Sequence, residues 1–180
     1  FRVVRQRGIL MQELCHRGAM TAVMGMDGDQ IAEICEKTEG IVSVANYNCP
    51  GQIVITGEAK AVEAAAENLK AAGARRCVPL KVSGPFHSLM LKEAGEKLGQ
   101  VLETVEVKDF QIPYVTNVTA DYVTDAGQVK ELLSRQVYSS VKWQQSVERM
   151  IADGVDTFVE IGPGRTLTGF LRKISRDVKG

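Results

Sequence analysis

The 180-residue chain is 44% hydrophobic and 24% charged, with 22 Lys plus Arg against 22 Asp plus Glu and a formal net charge of zero. That balance describes a soluble globular protein of one domain or one and a half, with no basic excess for nucleic acid and no charge run for a membrane surface. No apolar run approaches the roughly 18 residues of a transmembrane helix, and no secretory signal pattern opens the chain.

Phe1 to Leu14 places apolar residues at 3, 4, 10, 11 and 14, roughly one helical stripe. With no initiator Met, N-cap or leading loop, this segment reads as a helix entered from its N-terminal side, and the chain as a fragment. Residues 18–82 read as a self-contained unit. A strand covers 19–26. Asp27 with Gln30 three residues later matches a loose capping box for a helix ending near Gly40. Residues 41–47 and 52–57 are strands rich in β-branched residues, separated by the turn Cys49-Pro50-Gly51. An Ala-rich helix covers Lys60 to Ala72, and a strand covers 75–82. The order is β-α-β-β-α-β, the ferredoxin-like arrangement.

Beyond residue 87 helix and strand alternate. Leu91, Ala94, Leu98 and Leu102 recur at helical spacing. A strand is expected at 112–118, helices at roughly 127–137 and 142–153, a short buried strand at Thr157–Ile161, and a last helix after Gly162-Pro163-Gly164. The pattern predicts part of an open α/β sheet.

Four cysteines, Cys15, Cys35, Cys49 and Cys77, are widely spaced. They form no C-x-x-C pair and no zinc pattern with the two histidines, which points to free thiols in a reducing cytoplasm.

His87 follows a Gly84-Pro85 breaker between strand and helix, where a turn can present a side chain into a cleft. It reads either as a proton carrier near neutral pH or as a structural capping residue. Arg7 lies beside Gly8, with Met11 four residues on along the same face. It reads either as a surface arginine or as a fork for a carboxylate. Asn46 to Gln52 forms a polar loop that either orients a ligand or makes a turn. Gly162-Pro163-Gly164 reads as a tight turn or an anion nest. His16 reads as exposed at a helix end. A histidine base implies a nucleophile, yet the chain holds no G-x-S-x-G elbow, and Ser83 and Ser88 lack that setting.

Four ordered segments carry a resemblance: Arg7 to Gln12, Asn46 to Gly57, Gly84 to Ser88, and Glu160 to Gly164. Together they resemble the malonyl-CoA:acyl carrier protein transacylases of bacterial fatty acid synthesis, over essentially the whole chain. The resemblance implies a partial α/β-hydrolase-like large subdomain, residues 1–17 and 83–180, with an inserted ferredoxin-like subdomain, residues 18–82. It implies that His87 is general base to a serine, and that the Gln136 backbone carbonyl orients it. It also implies that Arg7 holds the malonyl carboxylate, with Met11, Phe86, Asn48 and Asn117 near the substrate. Malonyl-CoA and the phosphopantetheine of acyl carrier protein would be the substrates, with no resident cofactor or metal, no nucleic acid or membrane partner, and a monomeric cytoplasmic parent. The elbow and the oxyanion loop of that family precede the arginine helix, so the chain alone is expected to be inactive. Two other readings stand beside this one: a non-catalytic binding module on the ferredoxin-like unit, and a hydrolase on the same scaffold.

Overall fold

The computed structural model describes residues 1–14 and 17–180, so the expectations for Cys15 and His16 lie outside the described residues. Its larger sheet is an antiparallel one of β1 (Gly18–Met24), β2 (Val42–Cys49), β3 (Gln52–Glu58) and β4 (Arg76–Pro79), in the order β2-β3-β1-β4. The run Ile53-Val54-Ile55 in β3 is buried on both faces, as a central strand covered on each side should be. Ile53 and Ile55 pack with Ile31 of α2 (Gly28–Lys37) and with Val62 and Leu69 of α3 (Ala59–Ala71). Val54, pointing the other way by the period of two, joins Met20, Ala45 and Phe86.

Local chemistry sets the boundaries. The Asp27 carboxylate accepts from the Asp29 N–H at 2.9 Å and caps α2. Gly57 has φ 153°, and a Cβ there would lie 1.9 Å from the Ile41 carbonyl oxygen, so β2 can start beside it only because it is glycine.

A second group of helices packs beside the sheet. Leu10 and Met11 of α1 (Arg2–Glu13), Leu98 and Leu102 of α4 (Lys92–Glu103) and Val137, just past the end of α5 (Val129–Gln136), share a core. A Cβ on Gly95 would meet the Tyr138 ring at 2.5 Å and the Ser134 carbonyl oxygen at 2.7 Å, so α4 and α5 approach at a glycine. There the Ser134 hydroxyl donates to the Gly95 carbonyl at 2.6 Å. β5 (Tyr114–Thr116) and β6 (Asp121–Val123) form a short hairpin, followed after α5 by α6 (Trp143–Ala152) and α7 (Thr166–Ile174). The two parts join where the Tyr47 N–H donates to the Val141 carbonyl (2.9 Å) and the Val141 N–H to the Ala45 carbonyl (2.7 Å). Among the described residues no helix is long and apolar enough to cross a membrane.

Several expected elements differ. Thr157–Ile161 is not a strand: Thr157 makes a single bridge to Lys179, and Val159 and Ile161 are 79% and 94% exposed. Its apolar run has strand composition, but among the described residues no strand pairs along it, and isolated β structure is not stable. For the same reason the expected open sheet beyond residue 87 reduces to the β5–β6 pair. The strand expected at 112–118 shrinks to 114–116 after Pro113, which has no N–H to donate. The polar loop at 46–52 is mostly β2, accommodated by register irregularities at Val44/Asn46 and Tyr47/Cys49, with Pro50 and Gly51 left to turn. Cys35 and Cys49 are buried free thiols and Cys77 is a half-buried one.

Burial separates the isoleucines sharply. Ile55→Ala removes a side chain with no exposure and should cost about 2–5 kcal/mol in urea unfolding of this chain. Ile161→Ala should stay within about 0.5 kcal/mol. Equal costs would contradict the burial pattern.

Candidate functional site

The turn before α4 presents the histidine. Gly84 and Pro85 are buried, and the Ser88 hydroxyl, itself fully buried, accepts from the Met90 N–H at 3.3 Å to start the turn Leu89–Leu91 that leads into α4. Between them His87 has φ 57°, a left-handed conformation that costs a non-glycine residue about 1–3 kcal/mol and tends to mark functional positions.

His87 Nδ1 lies 3.1 Å from the backbone carbonyl oxygen of Gln136, the last residue of α5. A carbonyl only accepts, so Nδ1 carries the proton and donates it, which leaves the Nε2 lone pair free. Burial is the main influence on the ring and pushes its pKa below the ordinary 6.5. Hydrogen bonding to the backbone of Gln136 and Ser139 works the other way, and the nearby Arg7 charge adds to the depression. The ring is therefore mostly neutral at pH 7, the form that can take up a proton.

Arg7 comes to the same residue from α1. Its Nε and Nη2 donate to the Gln136 side-chain oxygen Oε1 at 3.2 and 3.0 Å. Burial lowers the Arg7 pKa, but a guanidinium keeps its charge in proteins. The two bonds use two of its five N–H donors. Their acceptor is neutral, so they do not cancel the positive charge, and no ion pair to Arg7 occurs among the described residues.

Arg7, Gly8, Met11, Gln12, Ser83 and Phe86 line a cavity of about 600 Å³. A Cβ on Gly8 would meet nothing within 4 Å, so the helix leaves open space beside the guanidinium. A second groove of about 620 Å³, mainly apolar, is also lined by Arg7, together with Gln136, Asn117 and Trp143. Asn117 Nδ2 and Trp143 Nε1 are buried there with no acceptor among the described residues.

Of the residues singled out from sequence, the structure thus brings Arg7, His87 and Gln136 together, sets Met11 and Phe86 in the first cavity and Asn117 in the second groove. Asn48 stands apart on β2 and lines neither. Just after Gly162–Gly164, at the start of α7, the Glu160 carboxylate accepts from the Leu167 N–H (3.2 Å), the Thr168 N–H (2.9 Å) and the Thr168 hydroxyl (2.8 Å). Those bonds hold its pKa below the usual carboxylate value. The Gln136 side chain was not foreseen as a partner of Arg7. A glutamine in the last turn of a helix carries no distinguishing signal, and the contact spans 129 positions.

A family model described as an acyl transferase domain matches residues 1–179. The malonyl CoA-acyl carrier protein transacylase of Bacillus subtilis (strain 168) is 48% identical over 181 residues, covering 98% of this chain and 57% of that protein. The crystal structure of MCAT from Streptococcus pneumoniae superposes with a TM-score of 0.95 at 42% identity, covering 99% of this chain and 59% of that one. A malonyl-transacylase solved in complex with a type II PKS acyl-carrier protein gives 0.94 at 42% identity, with the same coverage. The fold is thus α/β, and the chain spans less than two thirds of the length of each of these relatives.

The His87 pKa is lower folded than unfolded, so its contribution to stability is fully present above about pH 6.5 and is lost as pH falls through the folded value. A proton NMR titration, assigned with His87→Gln, should give a midpoint below 6.5. Arg7→Met should move that midpoint upward by removing a repelling charge. A wild-type midpoint at or above 6.5 would refute the buried neutral ring.

Proposed function

Because this chain belongs to the acyl transferase domain family, we propose that it carries the base and the acyl clamp of an enzyme that moves malonyl from coenzyme A to the phosphopantetheine thiol of an acyl carrier protein. The observation that carries this reading is the pairing at Gln136. One residue holds a neutral imidazole by its backbone oxygen and an uncompensated guanidinium by its side-chain oxygen. A neutral base beside a fixed positive charge suits an acyl group that is attacked at one end and anionic at the other.

The chemistry follows from those atoms. A serine hydroxyl attacks the thioester carbonyl while His87 Nε2 takes its proton. The coenzyme A thiolate leaves and recovers that proton from the imidazolium, and malonyl remains as a serine ester. The carrier thiol then gives its proton to Nε2 and attacks the ester, and the serine alkoxide is reprotonated by the same ring. The 180 residues contain no G-x-S-x-G, and we assign the serine to the part of the family's domain that this chain does not span. Arg7 receives the malonyl carboxylate through the donors that Gln136 leaves unused. Met11 and Phe86 close the apolar side of the cavity. Asn117 offers a buried donor whose desolvation is offset only if a substrate or neighbouring group accepts from it.

We also read residues 18–82 as a ferredoxin-like subdomain within an α/β-hydrolase-like part made of 1–17 and 83–180. The sheet order β2-β3-β1-β4 and the separate helical core support that division.

In the acyltransferase that carries this chain, Arg7→Ala strands the malonyl carboxylate. That should cost about 2–5 kcal/mol, or roughly 30-fold to several-thousandfold in kcat/KM for malonyl-CoA, with a much smaller effect on acetyl-CoA. His87→Ala should slow both thioesters alike. An equal loss for both in Arg7→Ala would remove Arg7 as the clamp.

A further inference from the structure

Gln136 does two separable things with two different oxygens. Its carbonyl belongs to the backbone and survives any substitution, whereas its Oε1 is side-chain and does not. The side-chain bonds are long-range and fix a flexible arginine in one orientation. Holding a guanidinium is more commonly the task of a carboxylate, which would pair with it as a fork and cancel its charge. Here the acceptor is an amide. The guanidinium is oriented, half-buried and still charged, and its bonds to Gln136 occupy only two of its five N–H donors.

We propose that the Gln136 side chain is a neutral strut that sets acyl-group specificity by orienting Arg7 without discharging it. The inference rests on the malonyl-transfer reading above and adds a positioning residue to it. Selection for a carboxylate-bearing acyl group then depends on three atoms: Oε1 of Gln136, which directs the guanidinium, and the nitrogens Nε and Nη2, which that oxygen engages. A negative charge at this position would compete with the substrate carboxylate for the same guanidinium. An apolar residue of similar length would leave the charge but release its orientation. His87 would keep its carbonyl in both cases, and with it the tautomer that frees Nε2. The depressed pKa of His87 agrees with an Arg7 charge that is not neutralised by its neighbour.

The test compares kcat/KM for malonyl-CoA and acetyl-CoA in the intact acyltransferase, in wild type, Gln136→Glu and Gln136→Met. The wild type serves the underlying reading: without a preference for malonyl-CoA, the assignment of substrate class fails before either variant is considered. Given that preference, Gln136→Glu should lower the malonyl-to-acetyl ratio by about 30-fold or more, the scale of losing a charged partner. Gln136→Met should lower it by about tenfold, and it decides the question alone if the glutamate variant does not fold. The acid limb of the kcat/KM profile should persist in Gln136→Met, because the backbone carbonyl still holds His87. A ratio within about twofold of wild type in the folded variants overturns the proposal, even if both rates fall, since a merely structural residue would slow both thioesters together. Loss of the acid limb in Gln136→Met also overturns it.

Discussion

A carbonyl oxygen can accept a hydrogen bond and cannot donate one, and the state of the whole site follows from that restriction at Gln136. It dictates which nitrogen of His87 holds the proton, and therefore which is free to take another. An aspartate in the same place would also have fixed the tautomer, but it would have favoured the charged ring and raised its pKa. The backbone oxygen also favours the charged ring, but by less than burial disfavours it. Burial is then free to dominate and keep the ring neutral.

Keeping Gln136 in place is the work of packing some distance from the chemistry. α5 is held against α4 by the close approach at Gly95 and the hydrogen bond from Ser134. α1 lies over the same core through Leu10 and Met11. Arg7 and Gln136 thus meet because two helices share a third as their floor. The two side-chain bonds contribute less to assembling these helices than the buried leucines do, since a net hydrogen bond adds about 1 kcal/mol and a buried leucine more. The apolar core places the polar residues, and the polar residues then define their own orientation.

The elements of the 18–82 stretch were legible in the sequence because local signals agree there. Ile53-Val54-Ile55, the Ala-rich helix and Asp27 each point to the structure they adopt, and their partners lie nearby in the chain. The candidate site was legible in parts: the breaker at Gly84-Pro85 singled out His87, and Gly8 drew attention to Arg7. What could not be read was long-range pairing. Thr157–Ile161 has the composition of a buried strand, and composition cannot say whether a neighbouring strand is there to receive it. The register of Asn46 and Asn48 was equally hidden, because asparagines that suggest a loop also fit a strand that bulges. The link between Gln136 and Arg7 had no signal at all, since it arises from tertiary contact alone.

The junction between the sheet and the helices lies only a few residues beyond Gln136. The Val141 N–H and carbonyl each bond to β2, and the Ser140 hydroxyl donates to the Val44 carbonyl at 2.5 Å. Four residues lie between Gln136 and Val141, five Cα steps that span at most about 17 Å even when fully extended. The sheet and the oxygen that holds His87 are therefore joined by a short tether, which limits how far one can shift without the other.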